Sequence, residues 1–377
     1  MKILITIPWF YPAFKAGGPV QSAINLVNEY EGDTEFYVFC GVTDLNDTPL
    51  TGITKDAWVR FNDRTMVYYS SRTMRSDTLV KVTEKLKPDI LYITGLFDWH
   101  FNIVPLFFGK ARLKILSVRG MLHPGALSQK AAKKKIFLFF FKLFRLHKKV
   151  VFQVSDLQED LHVRRVFGDV SIRVAGNYPR LMEPHFPAGK KKGSIRLLSL
   201  ALISPMKNHL LVLEALSKVT SLVNYDIYGP VKDMEYWQAC IEQMKSLPVS
   251  IAVRYHGEVN PMSVQDVYNN ADVFILPSKS ENFGHSIFEA LTAGKPVITS
   301  HFTPWTGLEA ANAGLNIDSD PGAIAAAIDR FASMDNAELE IWSRGAVQYA
   351  SSMLDRRVIT SQYRELFNLD TDEPAEG

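Results

Sequence analysis

Two glutamates stand eight residues apart in the stretch SENFGHSIFEALTAGKPVITS, residues 280–300, with Glu281 ahead of an Asn-Phe-Gly turn and Glu289 beyond it. The apolar run DVFILPS (272–278) before them reads as a buried strand, so residues 279–283 form the turn at its carboxyl end and a helix opens at Gly284. A glycine there lets the backbone approach a ligand closely. Ile287, Phe288 and Leu291 make the buried stripe of that helix, and Glu289 falls on the opposite side, one turn from His285. One carboxylate in the turn and one on the helix can accept hydrogen bonds from two different hydroxyl groups of one ligand. The free N–H groups at the helix start favour an anion between them. A sugar nucleotide has that composition: polyol, diphosphate, polyol. Read singly, two glutamates beside a strand–helix turn are ordinary solvated side chains.

The elements that must position these groups alternate along the whole chain. In the first half, strand-like runs at 2–8, 35–41, 66–71, 89–95, 113–119, 150–155 and 171–177 are interleaved with helical segments near 19–30, 76–86, 127–147 and 156–167. In the second half, strands at 195–201, 225–230, 250–257, 272–278 and 295–300 alternate with helices near 208–218, 233–246, 261–270, 284–293, 320–333 and 336–351. Such alternation predicts parallel sheets covered on both faces. The stretch YPRLMEPHFPAGKKKGS (178–194) is rich in Pro, Gly and Lys and has no periodicity, so it reads as a linker. The expected class is α/β, with two doubly wound Rossmann-like domains facing a cleft at the carboxyl ends of their strands. The domains are set at 1–178 and 195–352, the linker at 179–194, and a C-terminal helix and tail at 353–377 are expected to return to the first domain. The acidic DTDEPAEG end (370–377) reads as frayed.

The extended pattern Glu281, Phe283, Gly284, Glu289, Ala290, Gly294, Pro296, Val297 resembles the E-x7-E signature of retaining glycosyltransferases of the family 4 type, the glycosyl transferases group 1 with the GT-B fold. The resemblance runs over nearly the whole chain. It implies that Glu289 holds the nucleotide ribose and Glu281 the donor sugar, with Phe283, Gly284 and His285 beside sugar or phosphate. The nucleobase is expected against backbone near YHGEV (255–259), which includes Val259. LALISPMKNHLLVLEAL matches a segment carrying basic diphosphate ligands and places Lys207 on the lysine, although Leu202 stands where an arginine is usual. Without that context Lys207 is an ordinary surface lysine. Gly17-Gly18, before a helix opened by Pro19, matches a loop that closes on the donor diphosphate, or is simply flexible, and G-x-G-x-x-G is absent. Near 117–135 a His-Gly pair is common in the family. Here Arg119-Gly120 and His123 stand instead, each open to a ligand role or a structural one. Glu309 is a loose match to a glutamate beside the donor.

The domain implied to bind acceptor is the first and the nucleotide-sugar domain the second. The implied reaction moves a hexose-like sugar from a nucleoside diphosphate, UDP or GDP, to a glycan or lipid-linked hydroxyl with retention of configuration. Bacterial cell-surface polysaccharide or lipopolysaccharide biosynthesis is the implied setting. No Asp-rich motif stands out, so neither a metal nor another cofactor is expected. Three alternatives stay open: a sugar-nucleotide epimerase, a phosphorylase on the same architecture, or a sugar-binding, membrane-associated subunit without turnover.

Composition bounds the rest. Net charge is only +2 over 377 residues, with 47% hydrophobic and 22% charged residues, which gives no global field for nucleic acid. Two isolated cysteines, Cys40 and Cys240, suit a reducing compartment, and the N-terminal MKILITIPWF reads as a strand without a cleavage site. The expected location is cytoplasmic, or peripheral on the inner face of the cell membrane. The segment KAAKKKIFLFFFKLFRLHKK (130–149) holds eight Lys or Arg and no acid, with Lys135, Lys142 and Lys149 in one strip. It is either a buried helix with a basic end or a helix touching an anionic membrane.

Overall fold

The computed structural model describes residues 1–15, 17–71, 75–128, 131–260 and 263–368. The chain divides into two units, Met1–Tyr178 with the segment from Arg356 onward, and Pro179–Asp355. Each has a mainly parallel sheet between helices.

In the first unit, strands β1 (Lys2–Thr6), β2 (Glu35–Gly41), β3 (Trp58–Asn62), β4 (Thr65–Ser70), β5 (Ile90–Thr94), β6 (Leu113–Ser117), β7 (Val151–Val154) and β8 (Ile172–Val174) lie in the order β3-β4-β2-β1-β5-β6-β7-β8. Every residue of β5 (ILYIT) is buried, as a central strand covered on both faces requires. β3 was not expected. It pairs antiparallel with β4 at the sheet edge, and all of its residues keep some exposure, which blurs the apolar pattern that marks interior strands. Over the helix expected at 127–147, the described residues are helical at Pro124–Ser128 and Ala131–Leu143, residues 129–130 lie outside the described residues, and a 3₁₀ turn follows at Leu146–Lys148. Arg145 ends the run in the left-handed region (φ 53°). Two short helical pieces, Trp99–Ile103 and Val104–Phe108, fill a span that periodicity left unassigned; Asp98 caps the first by accepting from the Phe101 N–H at 2.8 Å.

The closing helix Arg356–Phe367 belongs to this unit, far in sequence from its sheet. Phe367 meets Tyr30 edge-on at 5.4 Å, Tyr363 stacks on Tyr178 at 5.4 Å, and both Tyr363 and Phe367 are buried. Gln362 Oε1 accepts from the Gly176 N–H at 3.0 Å.

The second unit holds β9 (Ser194–Leu200), β10 (Leu222–Tyr228), β11 (Ile251–Gly257), β12 (Val273–Leu276), β13 (Val297–Ser300) and β14 (Gly314–Ile317) in the order β11-β10-β9-β12-β13-β14, all parallel. β14 (GLNI) is too short, and too polar at Asn316, to have stood out as a strand. Three of its helices start on side-chain caps: Asp233, Asp320 and Asp335 each accept a backbone N–H, and Asp335 with Glu338 forms a full capping box. Of the stretch 179–194 read above as a linker, residues 179–193 lack regular structure and are fastened to this unit, and Ser194 begins β9. The Met182 N–H donates to Thr292 Oγ1 at 3.1 Å, and buried Lys190 donates through Nζ to the Ala332 and Met334 carbonyls.

Candidate functional site

Strand order fixes where a ligand belongs in the second unit. β10 and β11 lie on one side of β9 while β12 to β14 lie on the other, so the order reverses between β9 and β12. In open parallel sheets, the carboxyl ends of the two strands flanking such a reversal leave a crevice. The loop after β9 carries Lys207 and the loop after β12 carries Glu281. The backbone ties the loops together through Lys279 N–H to Met206 O at 2.8 Å.

Two of the expected residues meet there. Lys207 Nζ lies 2.5 Å from Glu281 Oε1, with the glutamate side chain only 8% exposed and the lysine 21%. Ser278, fully buried, donates its hydroxyl to the same oxygen at 2.7 Å. Glu281 is thus held by a cation and a hydroxyl, and its backbone N–H bonds Phe302 O at 3.2 Å. Gly284 follows with φ 78°, capping the helix His285–Thr292 without a side chain. A Cβ there would sit 3.3 Å from Trp305 Nε1, so both the conformation and the space call for glycine. Phe283 packs within 5.3 Å of the Trp305 ring and 4.8 Å of His285, and its carbonyl accepts from Trp305 Nε1 at 2.6 Å.

Glu289 sits on that helix away from the Lys207 pair. It is buried, and its Oε2 accepts from the Tyr268 hydroxyl at 3.1 Å. Burial pushes its carboxyl up to about 7, against the opposing pull of Arg180 and of the Tyr268 hydrogen bond. A carboxylate so poorly hydrated gains from any ligand hydroxyl that donates to it. Ile287, Phe288 and Leu291 are buried as the helical spacing requires. Val259, just after β11, is half-buried against the same core. His256 beside it stacks on Tyr228 at 4.4 Å and bonds Asp226 at 2.6 Å. Glu309 stands at the surface in an ion pair with Arg330 at 2.6 Å. Ser278, Tyr268, Arg180 and Trp305 escaped the sequence reading. Trp305 lay in a stretch searched only for a glutamate, and Arg180 in the presumed linker.

In the first unit, Gly17 takes φ 73° and ψ −132° and caps the helix Gly18–Glu29, with Pro19 in its first turn. Arg119 and His123 follow β6. Arg119 has its partners within the first unit. Its guanidinium donates through Nη1 to Asn177 Oδ1 and through Nη2 to the Tyr92 hydroxyl at 3.0 Å. His123 Nδ1 accepts the Gly125 N–H at 3.1 Å, and its ring stands edge-on to His162 at 5.0 Å. Partial burial, and then His162, hold its pKa below the usual value. Among the described residues no three His, Cys, Asp or Glu side chains gather as a metal site.

Residues 183–346, which include Lys207, Glu281 and Glu289, match the family model described as Glycosyl transferases group 1. The match lies within the second unit and covers less than half of the chain. A stretch of 146 residues is 32% identical to D-inositol 3-phosphate glycosyltransferase of Corynebacterium urealyticum, covering 36% of this chain and only 34% of that protein. Solved structures resemble the chain over nearly its full length. Sucrose-phosphate synthase from Thermosynechococcus elongatus superposes with a TM-score of 0.68 at 18% identity, covering 97% of this chain and 98% of that one. Anabaena HepE in complex with UDP and glucose superposes with a TM-score of 0.71 at 16% identity, covering 98% and 100%. At such identities the likeness is one of fold: α/β with two parallel-sheet domains, as in GT-B glycosyltransferases. The segment that matches the group 1 model carries Lys207 and Glu281 at the strand ends where the sheet order reverses.

Proposed function

We propose that the chain transfers a sugar from a nucleoside diphosphate donor to a hydroxyl of a glycan or lipid-linked acceptor, with retention at the anomeric carbon and without a metal ion. The observation that carries this reading is the Lys207–Glu281 contact of 2.5 Å at the β9/β12 reversal, inside the segment that matches the group 1 family. A diphosphate entering there draws the Lys207 ammonium toward its oxygens, since a charge-assisted hydrogen bond to phosphate contributes about 1.5–3 kcal/mol. Glu281 is then free to accept from hydroxyls of the sugar, and Glu289 from a ribose hydroxyl. The UDP held by the structurally similar HepE is a donor fragment of this chemistry.

In this reading the protein aligns donor and acceptor and stabilises negative charge on the departing diphosphate, while a diphosphate oxygen takes the acceptor proton. Lys207 and the backbone N–H groups at Gly284 and His285 supply the positive potential. A cell-surface glycan or lipid-linked acceptor would place the protein in the cytoplasm, on or near a membrane. The test is incubation with UDP-, GDP- and dTDP-sugars, with and without a lipid-linked acceptor, following nucleotide release. Release of one nucleotide that depends on acceptor is expected. Conversion of a nucleotide sugar without acceptor would mark an epimerase instead.

A further inference from the structure

The helix Ala131–Leu143 has two apolar faces, and only one of them is used by the fold. Phe137 and Phe141 turn inward, with Phe141 buried against Phe167 at 5.4 Å between ring centroids. Ile136, Phe139, Phe140, Leu143 and Phe144 remain exposed, at 60%, 63%, 47%, 59% and 53%. Their spacing of i, i+3, i+4, i+7 and i+8 is the period of a buried helix face, yet among the described residues none of the unit covers it. A second element extends the patch. Phe107 and Phe108, on the short helix Val104–Phe108, are also exposed, and Phe107 meets Phe144 edge-on at 6.0 Å.

Charge identifies the occupant. Between Asp98 and Asp156 the sequence contains 12 Lys or Arg and no acidic residue, although the whole chain carries only +2. Lys133, Lys135 and Lys142 are exposed along the same helix, and Arg145 just beyond its end. A second copy of this face would bring like charges together around the apolar stripe. An anionic lipid surface instead offers headgroup phosphates to the lysines and acyl chains to the phenylalanines. The helix has 13 residues, short of the ~20 needed to cross, and no helix among the described residues is long and apolar enough to span a bilayer.

We infer that this face docks the first unit flat on an anionic membrane, with the phenylalanines seated at the headgroup–acyl boundary. Lys134 is not part of the contact surface, because it donates to Ala126 O at 2.6 Å and lies over the Phe97 ring.

Cosedimentation of the full chain with phosphatidylcholine vesicles, with and without phosphatidylglycerol, tests this without any activity assay. Binding to the anionic vesicles alone is expected, with release in about 1 M salt, where screening acts within about 3 Å. Lys133→Glu with Lys135→Glu should weaken partitioning by about 30-fold or more. Phe139→Ser with Phe140→Ser should abolish it while leaving the thermal midpoint unchanged, since both side chains are exposed. Wild-type protein that ignores anionic vesicles at low salt, or a serine variant that binds as well as wild type, overturns the inference. So does a dimer in analytical ultracentrifugation that the serine variant dissolves, because the face would then belong to a second copy.

Discussion

Glu289 is a buried carboxyl that accepts from the Tyr268 hydroxyl and has capacity for a further donor. If a ribose hydroxyl supplies it, Glu289→Ala weakens nucleotide binding by about 1.5–3 kcal/mol; calorimetry with the matching nucleotide reads this directly, and wild-type affinity would remove the ribose from this position. The same carboxyl ties stability to pH. Its ordinary value is 4.5 and burial in the fold raises it to about 7, so the folded chain keeps a proton that the unfolded chain releases. This group's contribution is therefore full below about 4.5 and lost as pH rises through about 7. Glu289→Gln, which cannot ionise, should flatten that fall in urea titrations across the window; an unchanged slope would assign the dependence elsewhere. Glu281→Gln acts differently. It breaks the pair with Lys207 but leaves the ammonium available to a diphosphate, so turnover should drop well below wild type while nucleotide affinity stays close to it. Steady-state rates alongside calorimetry separate the two quantities, and unchanged turnover would take Glu281 out of the reaction. Much of this was legible in sequence, because Glu281, Gly284 and Glu289 share one strand–turn–helix unit and local spacing fixes their neighbourhood. Their partners were not. Tyr268 lies 21 residues before Glu289, and Arg119 finds Asn177 58 residues on, distances that only the assembled sheet closes.

At the scale of elements, the interior strands announced themselves. β5, β12 and β13 are buried along their whole length and read as unbroken apolar or β-branched runs. The edges did not, since β3 keeps some exposure at every residue and β14 (GLNI) places a glycine and the polar Asn316 among its four positions. The basic helix shows the opposite failure. Its sequence revealed apolar residues on most sides but not which side the protein would cover, a matter settled by Phe141 meeting Phe167. The His285–Thr292 helix bears on mechanism as an element. Its first N–H groups and the Lys207 loop stand at adjacent strand ends and are proposed to balance the diphosphate. Activity should accordingly persist in excess EDTA. Complete loss on chelation, restored by Mg²⁺ or Mn²⁺, would reassign that task to a cation.

Over the whole molecule, the two units are unequal in how they are encoded. The second is one continuous stretch, Pro179–Asp355, with its own buried core, whereas the first is completed by a helix from the far end of the chain. A fragment of residues 179–355 should melt cooperatively by circular dichroism, while residues 1–178 alone should not, because Tyr30, Phe36 and Tyr92 would lose the Phe367 ring they pack on. A cooperative melt of residues 1–178 near the full-length midpoint would show that the closing helix is dispensable. The same feature sets an order of events during synthesis. The half of the protein that leaves the ribosome first is finished only after the second unit has been made, since its aromatic core waits for Tyr363, Leu366 and Phe367, which are translated after the whole of Pro179–Asp355. Until then its seam stays open while the second unit is complete, and termination between Asp355 and Tyr363 spares the second unit but leaves the first with an open hydrophobic seam.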